Sequence, residues 1–216
     1  MTANRTLDRM LEGGVIAIMR AKSSDQLLSA AEAILAGGVN CIEVTMTTPR
    51  ATEVINQATE RLGKDVLFGV GSVLDAETAR IAILAGAKFV VCPTLKPETI
   101  ELCNRYSIPV FPGAYTPTEI LTAWEVGASV VKVFPSSVGG PDYIKAVKAP
   151  LPQILMAAVG GVTVENTADF FKAGVVSVGV GGELVNQKLL DAADFKEITR
   201  RASRFHAEAM KGREGK

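Results

Sequence analysis

The chain has 216 residues, with Lys+Arg and Asp+Glu balanced at 23 each. That balance gives no electrostatic reason to expect nucleic acid or an anionic membrane as partner. Charge, glycine or proline cuts each apolar run before it reaches the ~20 residues that cross a bilayer, and the N-terminal stretch is amphipathic, unlike a signal peptide; a cytoplasmic protein is expected.

Residues 4–12 predict a short helix with Leu7, Met10 and Leu11 as its apolar face, ended by Gly13-Gly14. Val15–Met19 is an apolar strand closed by Arg20. Ser23-Ser24-Asp25 offers an N-cap for a helix through Leu35. Cys41–Met46 is the second strand, and Thr48-Pro49 starts a helix to about Leu62. Val66–Val70 is the third strand, and Asp75 caps a helix ending at Gly86. Phe89–Cys92 is the fourth strand, followed by a helix opened by Lys96-Pro97-Glu98. Pro109–Phe111 is the fifth, followed by a helix from Thr116-Pro117-Thr118-Glu119 to Gly127. Val130–Phe134 is the sixth, with a helix over Asp142–Lys148. Ile154–Val159 and Val175–Val180 are the last strands, followed by helices over Thr163–Ala173 and about 192–211.

Strands apolar on both faces suit a parallel sheet covered by helices. Eight alternating strand–helix units in 216 residues predict α/β architecture, a (β/α)8 TIM barrel with a short N-terminal helix, as one domain spanning 1–216. A doubly wound sheet is the alternative, but its GxGxxG fingerprint is absent after the first strand.

The composition restricts the chemistry. Cys41, Cys92 and Cys103 have no close spacing and read as reduced thiols. His206 is the only histidine and falls in a predicted surface helix, so His-rich zinc sites and Ser-His-Asp triads are excluded. Neither a metal nor a cofactor is expected, and proton transfer falls to carboxylate, lysine, tyrosine or water.

In such a barrel the site lies at the C-terminal ends of the strands. Lys88 precedes its strand and fails that test. Lys132 sits in Val130-Val131-Lys132-Val133-Phe134, where alternation puts it on one face with Val130 and Phe134. Burial disfavours its ammonium form and leaves a nucleophilic amine; the other reading is a strand-end lysine that snorkels to water. Glu43, between Ile42 and Val44, is either a proton shuttle with a raised pKa or a paired buried carboxylate. Arg20 at the end of the first strand is an anion clamp or a solvated arginine. Gly160-Gly161 and Gly181-Gly182 follow the last two strands, where barrels bind phosphate; the other reading is ordinary tight βα turns. Gly71-Ser72 and Pro93-Thr94 would line the same mouth.

Together, Ile42-Glu43-Val44-Thr45, Gly69-Val70-Gly71-Ser72-Val73, Pro112-Gly113 with Thr116-Pro117-Thr118-Glu119, Val131-Lys132-Val133-Phe134-Pro135, and Gly160-Gly161-Val162 with Glu165-Asn166 resemble the 2-keto-3-deoxy-6-phosphogluconate (KDPG) aldolases, in order, over nearly the whole chain. The resemblance implies a class I aldolase of the Entner-Doudoroff type, commonly a homotrimer, that splits KDPG into pyruvate and glyceraldehyde 3-phosphate, with some members acting on 4-hydroxy-2-oxoglutarate. By position it implies Lys132 as the Schiff-base lysine and Glu43 as general acid/base. It also implies pyruvyl contacts at Ser72, Pro93 and Thr94; Arg20, Thr47, Phe134 and Val159 are expected as further substrate contacts, and Gly160, Gly161, Gly181 and Gly182 as phosphate contacts from their place after the last two strands.

Three departures from the family pattern stand out. Thr47 replaces a common arginine, making Arg20 the nearest substitute clamp. Ala158-Val159-Gly160-Gly161 replaces Pro-Thr-Gly-Gly and, with Phe134-Pro135-Ser136-Ser137 and Tyr143-Ile144-Lys145-Ala146, looks more like the branch acting on the C4 epimer, 2-keto-3-deoxy-6-phosphogalactonate (KDPGal). Gly182 stands where serine is common and Glu183 follows, so phosphate affinity is weakened or Glu183 points away. The competing readings are another phosphate-binding barrel (an isomerase or synthase), a metal-dependent pyruvate aldolase and a non-catalytic sugar-phosphate-binding barrel.

Overall fold

The computed structural model describes residues 3–214. Strand β1 (Val15–Met19) pairs in parallel with β2 (Cys41–Thr45) on one side and β9 (Ser177–Val180) on the other. The ladder continues through β3 (Leu67–Gly71), β4 (Val90–Val91) and β5 (Val110–Phe111) in one direction. In the other it runs through β8 (Met156–Val159), β7 (Val131–Val133) and β6 (Gly113–Ala114). β5 and β6 are halves of one pass of chain, divided by Pro112. β5 serves β4, and β6 serves β7. Proline cannot donate to a ladder, but the Pro112 carbonyl accepts from Lys132 N at 2.9 Å, and Ser129 N reaches the Val110 carbonyl at 3.0 Å. The ring therefore closes through residues 110–114, and the predicted fifth strand is longer than expected and split.

The helices cover the ring: α1 (Ala3–Gly13), α2 (Ser24–Ala36), α3 (Ala51–Leu62), α4 (Ala76–Leu84), α5 (Pro97–Arg105), α6 (Pro117–Glu125), α7 (Gly140–Lys148), α8 (Val164–Ala173), α9 (Gln187–Asp191) and α10 (Phe195–Arg213). The expected caps form. Ser23 accepts from Gln26 N, Asp75 from Thr78 N, and Thr116–Glu119 and Thr163–Asn166 make reciprocal capping boxes. Two expectations are corrected. α3 begins at Ala51 and not at Thr48-Pro49, because residues 45–48 form a turn closed by Thr48 N to Thr45 O at 2.9 Å and Arg50 is left-handed at φ 54°. The short α9, capped by Asn186, was not anticipated.

Side-chain alternation sorts the core into two shells. Ile16, Cys41, Leu67, Phe89, Val91, Phe111, Val130 and Ala157 fill the ring, and Met10 of α1 plugs it from the N-terminal end. Val131 and Val133 belong to the outer shell, packed with the helices. Lys132 therefore points inward, as the pattern predicted. Arg213 of α10 pins the plug: it donates to the carbonyls of Glu12, Leu11 and Val176 at 2.7, 2.6 and 3.1 Å.

Candidate active site

β2 and β7 stand on opposite sides of the ring, separated by β3, β4 and β5/β6 one way and by β1, β9 and β8 the other. Glu43 and Lys132 therefore project into the lumen from facing walls. What lets them enter is the absence of side chains around them. Gly69 and Gly71 are the ladder partners of Glu43 and Thr45, Gly113 pairs with Lys132, and Gly179 pairs with Val159. A Cβ on Gly71 would overlap the Glu43 carboxyl, and one on Gly113 would overlap the Pro93 carbonyl.

Lys132 is 6% exposed and Glu43 is 3% exposed. Neither side chain makes a hydrogen bond or an ion pair among the described residues. Burial pushes Lys132 down, opposed first by the charge of Glu43. Burial pushes Glu43 up, opposed first by Lys132 and then by Arg20. An unpaired charge is costly in such a place, so both shifts favour the neutral forms: a free amine and a protonated acid. The Lys132 Nζ lies 4.8 Å from the centroid of the Phe134 ring, which forms one wall above it. The buried thiols do not compete as nucleophiles. Burial raises Cys41, Cys92 and Cys103 to about 12 each, far from thiolate formation.

Phe134, whose ring lies by the Lys132 amine, also lines a cavity of about 360 Å³ together with Arg20, Val159, Gly160, Gly161, Gly181, Gly182 and Glu183, whereas Lys132 and Glu43 themselves do not line it. Thr163, the N-cap of α8, also lines it, so the positive end of a ten-residue helix adjoins the cavity. A Cβ at Gly181 or Gly182 would meet no atom within 4 Å, so this loop lies open. Thr47, Ser72, Pro93 and Thr94 do not line the cavity. Pro93 and Thr94 place their backbone against Gly113, the ladder partner of Lys132. Ser72 follows β3 in the left-handed region at φ 59°, a strained conformation for a serine. The Thr47 hydroxyl is taken up by Arg20 and Thr45, at 3.3 and 2.7 Å.

Ser136 belongs to the stretch after Lys132 that carries the resemblance, but its structural role is not visible there. Buried at 2% exposure, it donates to Val133 O at 2.7 Å and accepts from Val159 N at 3.1 Å, and its own amide donates to Val159 O at 2.8 Å. It fastens the segment after Lys132 to β8 and so fixes Phe134 against Gly160. No local pattern marks a serine for a bond made 23 residues away.

A closed parallel ring with a buried amine facing a buried acid at its C-terminal mouth defines a (β/α)8-barrel enzyme. More particularly, the chain belongs to the KDPG and KHG aldolase family, whose model matches residues 7–201. It is 36% identical over 195 residues to the 2-dehydro-3-deoxy-6-phosphogalactonate aldolase of Escherichia coli K12, covering 87% of this chain and 95% of that one. A solved native KDPGal structure superposes with a TM-score of 0.86 at 33% identity, covering 92% of this chain and 95% of the other. KDPG aldolase from Legionella pneumophila, with pyruvate captured at low pH as a covalent carbinolamine, superposes at 0.85 with 25% identity, covering 94% and 97%. Among the described residues, no helix is long and apolar enough to cross a membrane.

Proposed function

We propose that the chain is a lysine-dependent aldolase acting on a 2-keto-3-deoxy-6-phospho sugar acid. One observation carries this reading: in a barrel of this family, the inward Lys132 at the mouth is buried without a hydrogen-bond or ion-pair partner and faces a buried carboxyl.

In this reading the neutral Lys132 amine adds to the C2 carbonyl to give a carbinolamine, and loss of water gives the protonated imine. Glu43, protonated at rest, gives its proton through a water to the hydroxyl that departs as the imine forms, and the resulting carboxylate then takes the C4 hydroxyl proton as the C3–C4 bond breaks. Its electron pair passes into the iminium to form an enamine, and the aldehyde leaves. Protonation at C3 and hydrolysis then release pyruvate and free Lys132. Ser72, Pro93 and Thr94 surround the pyruvyl end, while the glycine pairs, the start of α8 and Arg20 take the phosphate.

Of the two C4 epimers, the galactonate is the better fit. Val159 offers no hydroxyl where threonine is common in the family, and the Escherichia coli relative is named for that epimer. 4-Hydroxy-2-oxoglutarate is a secondary substrate. The chain works as a single domain and assembles as a homotrimer in the cytoplasm. The exposed Leu74, Ile81 and Leu84 support the assembly, and three free, buried cysteines support the location.

The deciding experiment is incubation with pyruvate and borohydride followed by peptide mass mapping, alongside cleavage assays on both phosphorylated epimers. Reductive trapping on Lys132 is expected. An adduct elsewhere, or none, overturns the reading.

A further inference from the structure

Thr47 reads in the sequence as a substrate contact. In the structure its hydroxyl is already engaged. It accepts a hydrogen bond from Arg20 Nε at 3.3 Å and lies 2.7 Å from the hydroxyl of Thr45. Thr45 is 1% exposed and follows Glu43 on the inward face of β2, whereas Arg20 and Thr47 are exposed. The three form a line from the interior, beside the acid, out to the guanidinium.

Backbone bonds hold this line in place. The turn over 45–48 is closed by Thr48 N to Thr45 O at 2.9 Å, and Met46 N donates to Gly71 O at 2.8 Å, tying the turn to the end of β3. Arg20 follows β1 directly, one residue beyond the Met19–Val44 ladder pair. Strand pairing thus brings Arg20 and Thr47 together across 27 residues of sequence.

A guanidinium has five donors in one plane. With Nε held by Thr47, the orientation of that plane is set. The terminal nitrogens have no hydrogen-bond or ion-pair partner among the described residues, and the side chain lines the glycine cavity. An exposed arginine without such a bond samples many rotamers and loses that freedom on binding an anion.

We propose that Thr47 is a positioning residue. Its hydroxyl, backed by Thr45, sets the plane of Arg20 so that the two terminal nitrogens grip the oxygens of a terminal phosphate in the cavity. This rests on the reading that the cavity takes the substrate's phosphate. It adds that phosphate affinity here depends on a hydroxyl that does not touch the substrate.

The test uses Thr47→Val, Thr47→Ser, Arg20→Ala and the Arg20→Ala/Thr47→Val double variant. KM and kcat are measured on the phosphorylated substrate, and binding of inorganic phosphate by calorimetry. Thr47→Val should weaken phosphate binding and raise KM by up to about tenfold, the scale of one bond to a charged group, with kcat moving much less. Thr47→Ser should restore wild-type values, and in the Arg20→Ala background Thr47→Val should add nothing. Equal phosphate affinity in Thr47→Val and wild type, or a loss that persists without Arg20, overturns the positioning role. A wild type that binds phosphate but cleaves neither epimer overturns the aldolase reading alone, and the calorimetric comparison still decides the role of Thr47. A wild type that binds no phosphate overturns both.

Discussion

Glu43 places its carboxyl oxygen Oε1 in the space that a methyl group on Gly71 would fill. The acid leans over the strand next to its own, and only a residue without a side chain permits that. Gly71→Ala should displace the carboxyl or spread β2 from β3, at a cost of about 1–3 kcal/mol for overpacking. Turnover should fall on the order of a hundredfold, as expected when a proton-transfer group is misplaced. Parallel measurement of kcat and the melting temperature checks this; wild-type kcat in a folded Gly71→Ala protein would contradict it.

The raised pKa of Glu43 has a sign that can be tested. In the folded state the acid keeps a proton that the unfolded chain releases above about pH 4.3. Its contribution to stability is complete below that pH and is lost as pH rises through the folded value, by at most about 1.4 kcal/mol per pH unit. Glu43→Gln has no such loss. Its melting temperature relative to wild type should rise steadily from pH 4 towards neutrality, while cleavage falls by roughly 10²–10⁴. Glu43 is also the first influence holding Lys132 up, so the variant alters the lysine's titration too, and the same comparison in a Lys132→Met background isolates the contribution of Glu43. A gap that does not change with pH would mean that Glu43 is ionised at no cost.

Arg213 closes the end of the barrel opposite the mouth. It reaches three carbonyls, on Leu11, Glu12 and Val176, and its guanidinium carbon lies 4.8 Å from the Phe171 ring centroid. Arg213→Ala leaves those carbonyls without this donor and should cost about 2–4 kcal/mol, with kcat at low temperature little changed. Chemical denaturation of both proteins measures the difference; equal midpoints would show that α1 holds without this pin.

Ile81 and Leu84 lie three residues apart on α4, so they share a face, and Leu74 precedes the same helix. They are 56%, 67% and 57% exposed. If copies of the chain associate through this face, Leu84→Asp should convert the assembly to monomers, with light scattering giving the mass. A wild-type monomer, or a Leu84→Asp assembly of unchanged mass, would remove this face from the argument.

Much of the architecture could be read from local pattern. Asp75, Thr116 and Thr163 announced their helices because a cap is a contact over three residues. Lys132 declared its direction because strand alternation is equally local. Three of the misses share one physical cause, which is contact across long stretches of chain. Pro112 looked like the end of a strand, but its carbonyl is used by a strand 20 residues later. Thr47 looked free to meet substrate until β1–β2 pairing brought Arg20 to it. Ser136 stood in the motif after Lys132, but nothing local marked its bond to β8. The short α9 was hidden because five residues are too few to show a helical period.

The inward glycines give the mouth an unusual response to change. Gly69, Gly71, Gly113 and Gly179 each face something that an added methyl would strike: the Phe89 ring, the Glu43 carboxyl, the Pro93 carbonyl and Val159. The site is shaped by vacant volume as much as by the groups it displays. An alanine scan, which shortens side chains, cannot detect such positions as subtractions. Run in the opposite sense, as a glycine-to-alanine scan, it would trace the outline of the lumen one methyl at a time.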